Sequence, residues 1–369
     1  MNIIMLCILI GIVLCGFFFE RSKGLSYAIM AVFFVLTCFS YDNYDYNVYS
    51  TIYDTIGSGG AGHYEPLFSL FMRIGNMVGL SYIQYRMVVV AVSLLLINST
   101  IQRFTNHPAL VWALFMIFPG WVLTTLLRHM MAFAVMIYGV RYVFDEKKGS
   151  TWKLIISVVI AALFHNSFWM FGLLVLAKLV KGKKILYIGI FVVVLIYSGI
   201  LNQVLYQVIE FFLTEEFYLD KYMSGQVANW NGTIYNIVKQ CMIITFGYGA
   251  VHLYQRRKNA KQSLSAEQIA FMDKIIPINN ASVLILGVLR YTTVAGRMDH
   301  VIILINIMAW GICLGLYRKN TVNRMTVKFT VGAVCGLLAV LACTLESSVL
   351  FDNVLRMHFE TNDFINLFA

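Results

Sequence analysis

Charge is scarce in this chain. Of its 369 residues only 12% are charged and 60% are hydrophobic, where a soluble domain carries about 25% charged and about 45–50% apolar residues. That excludes an ordinary water-soluble globule. Proline occurs only 4 times, which excludes collagen-like and Pro-rich disordered chains. The seven cysteines (Cys7, Cys15, Cys38, Cys241, Cys313, Cys335 and Cys343) are scattered in apolar runs, with no CxxC pair or adjacent His. They read as small apolar residues, not as a disulfide or metal framework. Gly57-Ser58-Gly59-Gly60-Ala61-Gly62 follows no strand and reads as a flexible turn, so no nucleotide-cradling loop is expected. What is present is a series of apolar stretches from end to end, about 20 residues being enough to cross a bilayer as a helix. The expected fold is an all-α polytopic membrane protein forming one membrane domain over residues 1–369.

The net charge of +10 comes from 28 Lys and Arg against 18 Asp and Glu, and its distribution argues against nucleic acid. Three segments are acidic: an outer loop over residues 40–66 with Asp42, Asp45, Asp54 and Glu65; a loop over 201–233; and the tail over 346–369. They hold 12 of the 18 acids and 2 of the 28 bases. The other loops hold 16 bases and four acids: Arg21/Lys23, Arg103, Lys147/Lys148, Lys181/Lys183/Lys184, Arg256/Arg257/Lys258/Lys261 and Arg318/Lys319/Arg324/Lys328 with Glu20, Asp145, Glu146 and Glu267. Lys and Arg resist translocation, so the basic set is expected at the cytoplasm and the acidic set outside. The apolar start, Asn2 to Phe19, has no basic residue ahead of it and reads as a retained first span rather than a cleaved signal.

Parity then constrains the count. Spans are expected near residues 2–19, 25–39, 84–101, 109–119, 129–144, 152–164, 167–180, 185–200, 234–254, 269–289, 298–317 and 328–345. These are about twelve, with both termini outside. Counting Pro66 to Leu80 as a crossing would turn every later basic loop outward, so it is expected to lie in, or dip into, the outer leaflet. Arg73 within it would be costly in mid-bilayer. The stretches Ala109 to Phe118, which ends at Pro119-Gly120, and Trp152 to Phe164 are too short for ~30 Å at ~1.5 Å per residue. Broken helices of this kind belong around buried or water-filled space.

Loop charges are explained by solvation. Left over at the outer ends of apolar runs are Arg128, His129, His165, Lys239, Arg290, Arg297, Asp299 and His300. An Arg at a helix centre costs roughly 3 kcal/mol. Snorkelling to the headgroups explains any single one as well as function does, and for Lys239 it is preferred. Three Arg on the face that positive-inside bias depletes are harder to dismiss. Guanidinium groups bind phosphate or carboxylate bidentately and stay charged when desolvated, so a lipid phosphate or diphosphate is the expected ligand. Tyr41, Tyr44, Tyr46, Tyr49, Tyr53 and Tyr64 surround the carboxylates of the first outer loop. They suit stacking on sugars, or equally an interfacial aromatic belt. Asp42 and Asp45 are spaced like loose metal ligands, but solvated Asp pairs are common and no metal is expected.

In order along residues 40–180 run Asp45-Tyr46, Glu65-Pro66-Leu67-Phe68-Ser69-Leu70, Leu127-Arg128-His129-Met130-Met131-Ala132, Lys147-Lys148 and Phe164-His165-Asn166-Ser167. This set resembles the EpsG family of bacterial exopolysaccharide and capsule polymerases of the Wzy type. The resemblance implies a GT-C-like, inverting, metal-independent glycosyltransferase in the bacterial plasma membrane. It would pass a growing glycan from undecaprenyl diphosphate onto a lipid-linked oligosaccharide repeat unit at the outer face. It implies no cofactor, since the lipid carrier is part of the substrate, and no nucleic acid. Its partners would be membrane lipids, a chain-length regulator and a flippase. In that chemistry Arg128, Arg290 and Arg297 would hold the diphosphate, and Glu65 or His165 would be the base. His165 is slightly preferred, because imidazole has an ordinary pKa near 6.5. Asp45 would be a sugar contact or a second base. The competing classes are a flippase or transporter of lipid-linked oligosaccharide, and a membrane acyltransferase of surface glycans. Transport would put polar groups on the inner half and usually repeats in the chain, and neither is visible.

Overall fold

The computed structural model describes residues 3–41, 44–60, 64–180, 183–201, 203–204, 207, 230–257, 264–290, 293–317, 322–342 and 361–362. Asp42, Ala61-Gly62, nearly all of the 201–233 loop, the acidic tail residues Glu346, Asp352, Glu360 and Asp363, and the loop bases Lys181, Lys258, Lys261, Arg318 and Lys319 lie outside the described residues. Among the described residues every regular element is helical, with one isolated bridge between Ser40 and Asn362.

In chain order the helices are α1 (Ile3–Phe18), α2 (Lys23–Phe39), α3 (Tyr44–Gly57), α4 (Pro66–Met77), α5 (Tyr82–Phe104), α6 (Pro108–Phe115), α7 (Leu127–Gly139) and α8 (Ser150–Phe164). They continue with α9 (Gly172–Leu179), α10 (Lys184–Tyr197), α11 (Trp230–Arg256), α12 (Ala266–Ala281), α13 (Leu284–Leu289), α14 (Asp299–Gly315) and α15 (Val322–Leu341). Local chemistry sets their starts. Ser81 with Gln84 and Ser265 with Gln268 form capping boxes for α5 and α12, and Pro opens α4 and α6, where its missing N–H costs nothing. Among the described residues four helical stretches are long and apolar enough to cross a membrane: Tyr82–Phe104, Ala266–Leu289, Gly296–Gly315 and Val322–Leu341. Shorter apolar helices accompany them. The described chain is built from helices, and their apolar length is that of a membrane protein.

The helices divide into two compact units. The first comprises residues 1–138, 163–165 and 310–369. At its centre stands α6, buried at every position, with α1 and α2 packed on it. The chain then breaks where Pro119-Gly120 predicts it. Phe118 is extended (φ −167°, ψ 135°), and a side chain at Gly120 would meet the Phe115 carbonyl at 2.6 Å and the Phe33 ring at 2.9 Å. Only glycine lets the returning chain pass so close.

A buried ionic cluster ties the first helix pair to the last helix. Glu20, in the turn after α1, bonds Arg324 through Oε1 and Lys328 through Oε2, and its carbonyl accepts from the Ala109 amide at the start of α6 at 3.2 Å. His107 Nε2 accepts from Arg21 Nε at 3.2 Å and faces Arg324 Nη2 at 3.1 Å. Guanidinium can only donate, so the ring is neutral with its proton on Nδ1. The expectation that loop charges are solvated fails here: Glu20 is 7% exposed and Arg324 3%. An ion pair needs geometry as well as sequence position, and the tertiary fold supplies it.

The second unit comprises residues 139–162 and 166–309. Its core carries amides rather than charges alone. Asn279 and Asn306 exchange hydrogen bonds at 2.8 and 2.9 Å, and Asn306 also donates to the Ile243 carbonyl at 3.0 Å. Gln240 donates to Ser282 at 2.7 Å and Tyr248 to Asn280 at 2.7 Å. A Cβ on Gly247 would strike the Asn279 amide at 2.3 Å, so α11 approaches α12 closely there. Pairing polar side chains with one another is how helices cohere where no water competes.

The cluster at Glu20 makes stability depend on pH. Burial works against the Glu20 carboxylate, but the Lys328 hydrogen bond and the charges of Lys328 and Arg324 outweigh it and hold its pKa below the ordinary 4.5. Burial pushes His107 from 6.5 down to about 4, against the pull of Glu20. The imidazole is neutral in the fold and takes a proton on unfolding, so its contribution declines as pH falls from 6.5 towards 4. The carboxylate's contribution is complete above 4.5 and is lost as pH falls through its lower folded value. The thermal unfolding midpoint in detergent is therefore expected to be flat above about pH 7 and to fall below it, by the equivalent of ~3 kcal/mol at pH 4. His107→Gln, which keeps an acceptor, removes the decline between pH 6.5 and 4. A midpoint insensitive to pH over that range contradicts the assignment.

Candidate functional site

Three pieces of the first unit meet around Arg128. The first is the N-terminus of α4. Glu65 is its N-cap residue, yet its side chain does not cap the helix. Pro66 leaves one fewer amide to satisfy, and the Glu65 carboxylate turns instead to Arg128, with Oε2 2.6 Å from Nη1. The second is the start of α7, where Arg128 also presents its guanidinium to the face of Tyr64 at 4.4 Å. The third is the end of α8. There Phe164 meets Phe71 of α4 edge-on at 5.3 Å, and the His165 ring stands perpendicular to the His129 ring at 5.3 Å. Consecutive residues of α7 therefore serve two purposes: Arg128 pairs with Glu65, and His129 pairs with His165.

The carboxylate side chain is 7% exposed and the Arg128 side chain 21%. The pair is screened from solvent, but an edge of the guanidinium stays open. Desolvation strengthens a charge-assisted bond and raises the cost of removing either partner.

Tyrosines form the floor of this region. Tyr49 touches Tyr64 and Phe68, Tyr46 touches Tyr82, and Tyr53 lies on Tyr82 and Tyr85, all with ring centroids between 5.1 and 5.7 Å. Tyr49, Tyr53, Tyr82 and Tyr85 are buried. Burial also raises the Tyr49 hydroxyl above its ordinary pKa, with Arg128 opposing. Those four rings are packing, joining α3, α4 and α5; among the described loop tyrosines Tyr41 is exposed, and Tyr46 and Tyr64 are part-exposed, with Asp45 beside Tyr46 in the first turn of α3. The sugar-stacking surface expected from the loop tyrosines is correspondingly smaller.

Arg290 and Arg297 belong to the second unit. Arg290 Nη1 donates to the carbonyls of Ile196, at 2.7 Å, and Tyr197, and the guanidinium lies over the Tyr197 ring. It thereby closes the C-terminal end of α10, where a cation is favoured. Arg297 is part-exposed at the end of the tight turn Thr293–Met298, which packs against the turn Asn166–Phe171. Next to it, Lys239 Nζ lies 3.3 Å from Asp299 Oδ2, with side chains 4% and 1% exposed. Lys239 therefore does not snorkel to the headgroups, as its sequence position suggests, but forms a buried ion pair. The i,i+60 spacing carries no sequence signal; only the two helices' packing reveals it.

Among the described residues no group of three or more His, Cys, Asp or Glu could hold a metal ion. A cavity of about 280 Å³ in the second unit is lined by Phe144, Glu146, Asp273 and Lys274 among others and touches none of the candidate residues. Arg86, absent from the sequence candidates because it sits inside an expected span, is a further buried guanidinium at 1% exposure. Its signal was available: a lone Arg two residues into an apolar run.

Removing one half of the Glu65–Arg128 pair should cost more than removing both. Glu65→Gln and Arg128→Met each lower stability in detergent, and the double variant recovers about 1–3 kcal/mol relative to their sum. Additive losses would show that the pair is not coupled.

A family model described as the EpsG family matches residues 23–351. No curated protein and no solved structure matches the chain.

Proposed function

The chain belongs to the EpsG family, and from that premise we propose that it is a Wzy-type polysaccharide polymerase. In this reading it is a multi-pass enzyme of the bacterial plasma membrane with about twelve crossings in a GT-C-like arrangement. It transfers a growing glycan from undecaprenyl diphosphate to a hydroxyl of a lipid-linked oligosaccharide repeat unit at the outer face.

The observation that carries the reading is Arg128, oriented by Glu65 and Tyr64 and left partly open. When the anomeric bond to the diphosphate breaks, negative charge grows on the leaving oxygen. A guanidinium already oriented in a low-dielectric recess stabilises that charge without reorganising, by several kcal/mol. The acceptor hydroxyl attacks from the opposite face, which inverts the anomeric centre, and gives its proton to a base within hydrogen-bond reach. Charge neutralisation falls to guanidinium rather than to a metal.

His165 is the preferred base. Glu65 is committed to Arg128, whereas His165 is a titratable ring one side chain removed, across His129. Asp45, one residue before the part-exposed Tyr46, is kept as a sugar contact or second base. Arg290 and Arg297 remain candidates for the anionic headgroup on the sequence argument. Helix α4 supports a position in the outer leaflet: its 12 residues reach only about 18 Å, Arg73 is exposed, and Leu70, Ile74 and Met77 present an apolar edge.

Liposomes containing the protein and a synthetic undecaprenyl diphosphate repeat unit test this. A ladder of lengthening products, formed without nucleotide sugar, is the expected result; unchanged single units would overturn it, and in favour of transport where those units have crossed the bilayer. His165→Ala should slow elongation about 10²–10⁴-fold, and Arg128→Lys about 10²-fold, because a point charge cannot reproduce the fork. Near-normal chains from both His165→Ala and Glu65→Gln would remove the base assignment.

A further inference from the structure

Arg86 lies in the second turn of α5 and is 1% exposed. Its Nη1 donates to the Ser40 carbonyl at 3.0 Å and its Nη2 to the Thr124 carbonyl at 3.3 Å. Its guanidinium carbon lies 5.0 Å from the centre of the Tyr46 ring. Among the described residues it makes no ion pair with a carboxylate. A charge buried this deeply is usually answered by an opposite charge, and a well-packed apolar side chain would cost less at such a place. The energetic reason for a guanidinium here must therefore lie in what its fork holds.

It holds three pieces of chain. Ser40 ends α2. Thr124 sits in the irregular segment between the broken helix and α7, four residues before Arg128. Tyr46 is on α3, next to Asp45. We propose that Arg86 is a positioning residue for the transfer reaction: by joining the ends of α2, α3 and the segment that feeds α7, it sets where Arg128 stands against its ligand. The proposal rests on the polymerase reading of the Arg128 site. The irregular segment supplies little rigidity of its own, since Phe118 is extended and the following helical turn, Trp121–Leu123, is three residues long. A planar group with two N–H vectors can bond two carbonyls and still stack on a ring. An ammonium cannot do all three.

A displacement of about 1 Å at a catalytic group costs around 10²-fold in rate. Arg86→Lys is therefore expected to lower kcat for elongation about 10–100-fold with KM within about twofold, because the loss is felt in the transition state. The decisive readout is the cycle with Arg128→Lys. If Arg86 acts through Arg128, the double variant is about as slow as the slower single one. A general weakening of the fold would instead multiply the two losses. Arg86→Gln, which keeps a buried donor, carries the same cycle if Arg86→Lys does not yield folded protein. Multiplicative effects, or an Arg86→Lys enzyme within about twofold of wild type, overturn the proposal while leaving the polymerase reading intact. A wild-type protein that does not elongate overturns both.

Discussion

A positive charge held where water is scarce has to be answered by something, and in this protein the kind of answer differs from one guanidinium to the next. Arg128 receives a carboxylate and a ring face, Arg86 two carbonyls and a ring face, Arg290 the last carbonyls of a helix, and Arg324 a carboxylate shared with a lysine. Each answer pins elements that are remote in the chain. Glu20 and Arg324 are 304 residues apart, and Glu65 and Arg128 are 63. Because an unanswered charge in such surroundings costs several kcal/mol, these contacts constrain the helices more sharply than apolar packing, which tolerates sliding.

Breaks in the helices do the complementary work. Inside a regular helix each carbonyl already accepts from the chain's own amides, whereas carbonyls at helix ends and in irregular segments are left for side chains to bond. The interruption at Phe118–Gly120 makes Thr124 part of an irregular segment whose carbonyl Arg86 can use, and the end of α8 at Phe164 places His165 at the junction with the turn Asn166–Phe171 rather than within a helix. The chemistry-bearing residues of the first unit therefore gather at helix ends, where the backbone can approach at angles that a continuous span forbids. The tyrosine layer beneath them is the apolar counterpart, a set of edge-on rings giving α3, α4 and α5 a stiff common surface.

Two expectations illustrate what a linear reading misses. Lys239 reads as a snorkelling lysine because its sequence neighbours are apolar, and no nearby residue carries the opposite sign; Asp299, its partner, is 60 positions away. Arg324 and Glu20 read as solvated loop charges because loops usually are solvated. Both readings used averages over many proteins, and both were displaced by one specific packing arrangement. The break at Pro119-Gly120 needed no such information, since a missing donor and a missing side chain act locally.

Composition and periodicity alone settle that the chain is helical and belongs in a membrane, because the cost of exposing so much apolar surface, or of leaving backbone groups unpaired in lipid, does not depend on arrangement. The order of short motifs was enough to point to the EpsG family, and it named Glu65, Arg128 and His165. That Glu65 and Arg128 are bonded to each other, that His165 stands against His129, and that Arg86 braces the backbone ahead of them were decided by the tertiary structure. Pair energies depend on distances of a few ångströms between segments far apart in the chain, and no pattern of neighbouring residues encodes those distances.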